Sequence, residues 1–270
     1  MLKKITIISV LLLCLISGTY FNAVKINTRQ IRIRQESITS NEIDGDLDGL
    51  LIVYFSDLYY GQYIDSQFLG NVVSRINMFK PDVIIFGGNL IEQNTGQDDL
   101  MSALSSLEAR YGKYAVLGEN DGQLVHDILL QTGFDIIEND SRPIMVDRNS
   151  YINLVGIDHL DQGDPDPHQA FSSVNSSHYT FAVSHCPDIF DEILSYDFDY
   201  LLSGHSLGGQ IYIPLISLFN RPEGCRKYFR GKITKQGKTI DITNGLGRID
   251  HDARLLADAE IVLYTLHSSE

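Results

Sequence analysis

The chain has 270 residues, with 21 Lys and Arg against 35 Asp and Glu, and a formal net charge of −14. Residues 1–35 hold six bases and no acid, so residues 36–270 carry 15 bases against 35 acids, a net −20. A globule that acidic repels polyphosphate backbones, which argues against nucleic-acid binding, and 43% hydrophobic residues exclude a disordered chain.

In chain order, Met1–Lys4 is a short basic leader and Ile5–Val24 is a run of twenty uncharged residues. A helix of roughly 20 apolar residues spans a bilayer, and no A-x-A cleavage site follows. Residues 1–24 are therefore expected to form an uncleaved anchor or signal-anchor in the cell membrane. Two Lys precede the span and four bases follow it, which by loop counting keeps the domain inside. Those four lie in Lys25–Arg34, an alternating segment that reads as a strand of the folded domain, and the short leader favours export. Residues 25–49 then form a membrane-proximal strand and connection, and residues 50–270 one α/β domain outside the cytoplasm. Three cysteines (Cys14, Cys186, Cys225) cannot make a disulfide framework; only Cys186 with Cys225 could pair.

Within that domain short apolar strands alternate with helical patterns. Leu50–Phe55 (LLIVYF) reads as a strand, Ile64–Phe79 as a helix, Asp82–Phe86 as a strand and Leu100–Arg110 as a helix. Tyr114–Leu117 is a strand and Gln123–Thr132 a helix. Further strands are expected at Ile152–Ile157, Tyr179–Ser184, Tyr200–Ser203, Gln210–Ile213 and Ile261–Leu266, with a hairpin around Lys235-Gln236-Gly237. Such alternation predicts a layered α/β fold with chemistry in the loops at strand C-terminal ends.

Gly204-His205-Ser206-Leu207-Gly208 fits the G-x-S-x-G nucleophile elbow of serine hydrolases. That motif requires a helix after the Ser, whereas Gln210–Ile213 is β-branched and Pro214 follows. A Ser206 hydrolase is therefore the lesser reading.

Five loops taken together carry more. They are Ser56-Asp57-Leu58-Tyr59, Gly87-Gly88-Asn89, Gly118-Glu119-Asn120-Asp121, Ser184-His185-Cys186 and Gly204-His205-Ser206-Leu207. With FSDLYYG, DVIIFGGNL, YAVLGENDG, FAVSHCPDIF and LLSGHSLGGQIYIP in this order, the chain resembles the calcineurin-like metallophosphoesterases, closest to their membrane-associated bacterial branch. The resemblance runs from about Leu50 to the C-terminus. It implies a four-layer α-β-β-α sandwich preceded by a transmembrane helix. It also implies a site for two metals and a lipid-linked or small phosphorylated ligand; no protein partner is identified.

The family pattern is D-x-H, G-D, G-N-H-D, an isolated His and G-H-x-H. At the first-metal positions this chain has Asp57, Tyr59, Asn89 and Leu207. At the second-metal positions it has Asn89, Glu119, His185 and His205, and at the phosphate-contacting His it has Asn120. Leu207 cannot coordinate a metal, and Tyr59 is a poor donor at neutral pH. Asn120 cannot carry a proton, a loss that typically costs ~10²–10⁴-fold in rate. These departures imply that two-metal phosphoester hydrolysis is lost or strongly reduced, leaving a binding or scaffolding role. Glu119, His185 and His205 still suit one Zn, Mn or Fe ion with an open position, so a one-metal phosphoester or pyrophosphate hydrolase is the alternative. A third reading is that they are remnants held by ordinary hydrogen bonds, with no metal.

Overall fold

The computed structural model describes residues 2–160, 162–217 and 221–269. Helix α1 (Leu2–Phe21) is apolar on every face and exposed along its length, the pattern of a helix that cannot satisfy itself in water. It is the one helix among the described residues long and apolar enough to cross a membrane. Its axis continues through a π-turn to Ile26, so the strand expected from Lys25 begins only at Ile31. Here the helix end wins over the alternation, because Ala23 is buried and its carbonyl accepts from Arg254 N.

Two six-stranded sheets stack face to face. The first has the order β1 (Ile31–Ser40), β12 (Ala259–Ser268), β2 (Leu51–Phe55), β3 (Val83–Phe86), β4 (Lys113–Ala115) and β5 (Phe134–Ile136). The second runs β10 (Gly231–Lys235), β11 (Lys238–Ile242), β9 (Tyr200–Ser203), β8 (Thr180–Val183), β7 (Tyr151–Gly156) and β6 (Asp140–Met145). Alternation along β2 explains the layering. Val53 and Phe55 face helices α2 (Ser66–Met78), α3 (Gln97–Ser105) and α4 (Gln123–Gln131), burying Leu69, Val72, Ile76, Leu100 and Leu129. Ile52 and Tyr54 face Leu154, Phe181, Val183 and Leu202 of the other sheet. On the outer side of the second sheet, Ala182, Leu201 and Ile240 pack under Phe171, Ile189, Phe190 and Ile193. Helices, sheet, sheet and helices make four layers. Central strands covered on both faces read as continuous apolar runs, which is why LLIVYF shows no period.

Local signals set the helix ends. Asp65 caps α2 by accepting from Phe68 N at 2.8 Å. Helix α3 starts three residues before the expected Leu100, with Asp98 and Asp99 in its first turn, where carboxylates oppose the helix dipole favourably. The expected strand Gln210–Ile213 does not form. A 3₁₀ turn at Leu207–Gly209 is followed by a single bridge, Ile211 to Leu255, and Tyr212 N donates to Leu255 O.

Strands β2, β3 and β4 are mutually parallel, as are β7, β8 and β9. Their C-terminal ends therefore bring five loops to one edge of the sandwich.

Candidate metal centre

Those five loops deliver Asp57 after β2, Asn89 after β3, Glu119 after β4, His185 after β8 and His205 after β9. The turns are tight. Asp57, Tyr59, Asn89, His205 and Leu207 all adopt left-handed backbone, with φ between 49° and 67°. For residues other than glycine this costs on the order of 1 kcal/mol each and persists only where neighbours enforce it. Close approach at Gly204 is part of that enforcement: a Cβ there would lie 2.3 Å from Ser56 Oγ and 2.5 Å from Asp57 Oδ2.

The centre is built around Glu119. Its Oε2 lies 2.9 Å from His185 Nε2 and 3.3 Å from His205 Nδ1. Each imidazole is oriented from behind: His185 Nδ1 bonds Gly87 O at 2.6 Å, and His205 Nε2 bonds Glu223 O at 2.7 Å. A carbonyl can only accept, so those nitrogens carry protons, and a ring that gives up its other proton turns a bare nitrogen toward Glu119. With both rings in that deprotonated form, Glu119 Oε2 and His205 Nδ1 are buried without a hydrogen-bond partner. Ligand atoms of all three residues lie within 4.8 Å of one another. Two imidazoles locked by backbone carbonyls and one carboxylate form a donor set that fits a single divalent ion.

Electrostatics favour a positive charge at the same point. Burial opposes a charge on His185, but Asp57 and Glu119 outweigh it and push the imidazole up to about 9. Burial likewise opposes ionisation of Glu119, yet His185 and His205 hold its carboxyl well below the usual range. The pair thus holds a proton where a cation fits.

The other half of the edge differs. Asp57 is fully buried; its Oδ2 accepts from Ser56 Oγ at 2.5 Å and from His205 N at 3.0 Å. Asn89 Oδ1 accepts from Asn120 N at 3.2 Å, which turns the amide nitrogen toward Tyr59 Oη at 2.6 Å, Glu119 Oε1 at 3.0 Å and His185 Nε2 at 2.9 Å. Burial, then Asp57 and Glu119, raise the Tyr59 phenol well above its ordinary value, so it is a neutral hydrogen-bonding group. Leu207 is a buried apolar side chain. Asn120 Nδ2 donates to Glu119 Oε1 at 3.0 Å.

No protein-family model matches the chain. The uncharacterized metallophosphoesterase YkuE of Bacillus subtilis is 30% identical over 260 residues, 93% of this chain and 91% of that protein. This chain belongs to the calcineurin-like metallophosphoesterase family. It is also similar to the phosphodiesterase YaeI of Escherichia coli, at 25% identity over 80% of this chain and 81% of that one. The UDP-2,3-diacylglucosamine pyrophosphatase LpxG of Chlamydia muridarum is 24% identical over 74% of this chain and 79% of that one.

The metallophosphoesterase loops are held by Asp121, the last residue of the third loop motif, and by Arg254, which lies outside every motif. Asp121 accepts from Asn89 N, Leu90 N and Gly118 N, tying the third loop to the second. Arg254, fully buried, donates to the carbonyls of Leu207, Asn244, Gly245, Gly247 and Ala257. A lone arginine between two loops has neither period nor motif. Ser206 is buried, and its hydroxyl accepts from Gly208 N. A 3₁₀ turn rather than an α-helix follows it, so the elbow geometry of a serine hydrolase is absent. Cys186 and Cys225 are both buried thiols, and burial pushes the Cys225 thiol up, away from reactivity.

Proposed function

We propose that this metallophosphoesterase is anchored in the membrane by α1 and binds one divalent metal through Glu119, His185 and His205. Two-metal hydrolysis is lost or strongly reduced. One observation carries the reading: two imidazoles oriented by Gly87 O and Glu223 O converge within 3.3 Å on one buried Glu119 oxygen, beside positions filled by Tyr59, Asn89 and Leu207. When bound, a divalent ion would supply Lewis-acid attraction for a phosphoryl oxygen. The residues around it bind rather than react: Asn120 can donate a hydrogen bond to an anion but offers no exchangeable charge. A phosphorylated, lipid-linked ligand suits both the anchor and the substrate in the name of the pyrophosphatase relative. The basic leader favours a domain outside the cytoplasm.

The test is turnover by the full-length protein in detergent with Zn, Mn or Fe on a chromogenic aryl phosphodiester. The expected rate is indistinguishable from buffer with metal. Turnover that vanishes in Asp57→Ala would contradict the proposal.

A cavity of about 310 Å³ beside His205, bordered by Gln210, Phe229 and His251, favours a second reading. A substrate seated there could be hydrolysed with one metal. That enzyme would turn over slowly, with activity and metal lost together in His185→Ala.

A further inference from the structure

Four large apolar side chains stand exposed on two neighbouring loops at the site edge. They are Ile213 (43% exposed), Leu215 (74%) and Ile216 (65%) on the loop after His205, and Leu256 (59%) on the loop before β12. The two loops are joined by the Ile211–Leu255 bridge and by Tyr212 N donating to Leu255 O at 2.8 Å. Leu215 and Leu256 both hold left-handed backbone, at φ 72° and 52°. Backbone strain that presents leucine to water has no folding benefit of its own.

The same loop is bolted to the end of α1. Arg254 N donates to Ala23 O at 3.0 Å, and Asn27 Nδ2 donates to Arg254 O at 3.1 Å. The apolar lip is therefore continuous with the point where the apolar helix ends. Bases flank it. Arg230 lies over the Tyr212 ring at 4.2 Å and donates to Leu256 O, and Arg221 lies over Phe229 at 5.0 Å. Arg226 and Lys227 are exposed nearby in sequence. Of the seven bases in residues 221–238, Lys235 and Lys238 lie at the far end of the β10–β11 hairpin and Arg226, Lys227 and Lys232 pair with Glu223, Asp191 and Glu36, which leaves Arg221 and Arg230 beside the lip. Apolar tips flanked by two arginines match an anionic bilayer surface, where the tips enter the acyl boundary and the guanidinium groups meet lipid phosphates.

We propose that Ile213, Leu215, Ile216 and Leu256 form a lip that inserts into the anionic leaflet from which α1 emerges. This places the mouth of the His205 cavity at the headgroup level. The inference rests on the membrane anchorage proposed above.

The chain contains no Trp, so one introduced Trp is a unique probe. Full-length Leu215→Trp, Leu256→Trp, Leu12→Trp and Leu130→Trp are reconstituted into nanodiscs of phosphatidylcholine and phosphatidylglycerol, with and without brominated acyl chains. Leu12 lies within α1, and Leu130 is exposed on α4 towards the opposite edge of the first sheet. The expected result is that Trp at 12, 215 and 256 is blue-shifted and loses most of its emission to bromine, while Trp at 130 is unaffected. Quenching at 12 without quenching at 215 and 256 overturns the lip and leaves the anchor standing. No quenching at 12 overturns both. A blue shift at 215 without bromine quenching marks a protein partner, such as a second copy, and also overturns the lip. Either lip variant suffices if the other fails to fold.

Discussion

The phenol oxygen of Tyr59 lies 2.6 Å from Asn89 Nδ2, and this contact closes the half of the centre where the family pattern places its first metal. An amide nitrogen is a donor and never a metal ligand, and a buried neutral phenol beside two carboxylates is a weak one. On the other side, His185 Nε2 and His205 Nδ1 remain turned toward Glu119. One edge of the sandwich thus carries half a site that suits a cation and half that suits a hydrogen-bond network.

Restoring ligands to the closed half is the first prediction. Tyr59→His with Asn89→Asp and Leu207→His is expected to raise bound metal from one ion per chain to two. Adding Asn120→His supplies the missing proton donor, which is worth ~10²–10⁴-fold in the rate of phosphodiester cleavage. Elemental analysis and steady-state turnover check both parts. A fourfold variant that folds, binds two ions and stays inert would show that other residues limit catalysis.

Metal affinity is expected to depend on pH through His185. Its imidazole, pushed up to about 9 by Asp57 and Glu119 against the effect of burial, is protonated at neutral pH. A cation must displace that proton, so apparent affinity rises with pH up to about 9, by up to ~10-fold per unit for one proton released. Isothermal titration in buffers of different ionisation enthalpy counts the proton. An affinity flat between pH 6.5 and 8.5 would contradict this.

Arg254 is expected to be the main clip of the site loops. Replacing it by Met strands the carbonyls of Asn244, Gly247 and Ala257, while Leu207 O and Gly245 O keep Gln210 N and Glu260 N, at a cost of about 3 kcal/mol, which lowers Tm by roughly 6–12 °C. Differential scanning fluorimetry measures it. Because Arg254 also accepts from Asn27 and donates its N–H to Ala23 O, looser loops should show faster amide exchange at both Gly245–Gly247 and the end of α1.

Stability should also fall between pH 4 and 6 through Asp199. Burial, then Glu42, raises its carboxyl to about 6, against the hydrogen bond from Thr180 N. A carboxyl raised in the folded state favours folding while protonated; that stability is full below the unfolded value near 4 and lost as pH rises through 6. Asp199→Asn keeps an acceptor for Thr180 N and removes the charge. The variant is expected to match the parent at pH 4 and exceed its Tm at pH 7; equal values at both would contradict the assignment.

Much of this architecture was legible in the chain. β2 to α4 appear as alternating apolar runs and helical patterns, and five loop motifs in order point to the family. Tertiary contacts override the local pattern elsewhere. Lys25 looks like strand but prolongs α1 because Arg254 holds Ala23 O. Gln210–Ile213 looks like strand but pairs across a loop at a single bridge. Strands β5 and β6 went unread because Phe134–Ile136 is three residues long and Asp140–Met145 is polar and contains Pro143. At the centre the ligand types were readable, since they sit in motifs. The orientation of His185 and His205 was not, because backbone carbonyls at Gly87 and Glu223 set it, and a carbonyl has no letter.

If Glu119, His185 and His205 hold one metal, the ion can be counted. Full-length protein purified in detergent, loaded with Zn, Mn or Fe and desalted, is analysed by inductively coupled plasma mass spectrometry beside His185→Ala and His205→Ala. About one ion per chain is expected in the parent and none in either variant. Two ions in the parent, or none after loading, would contradict it.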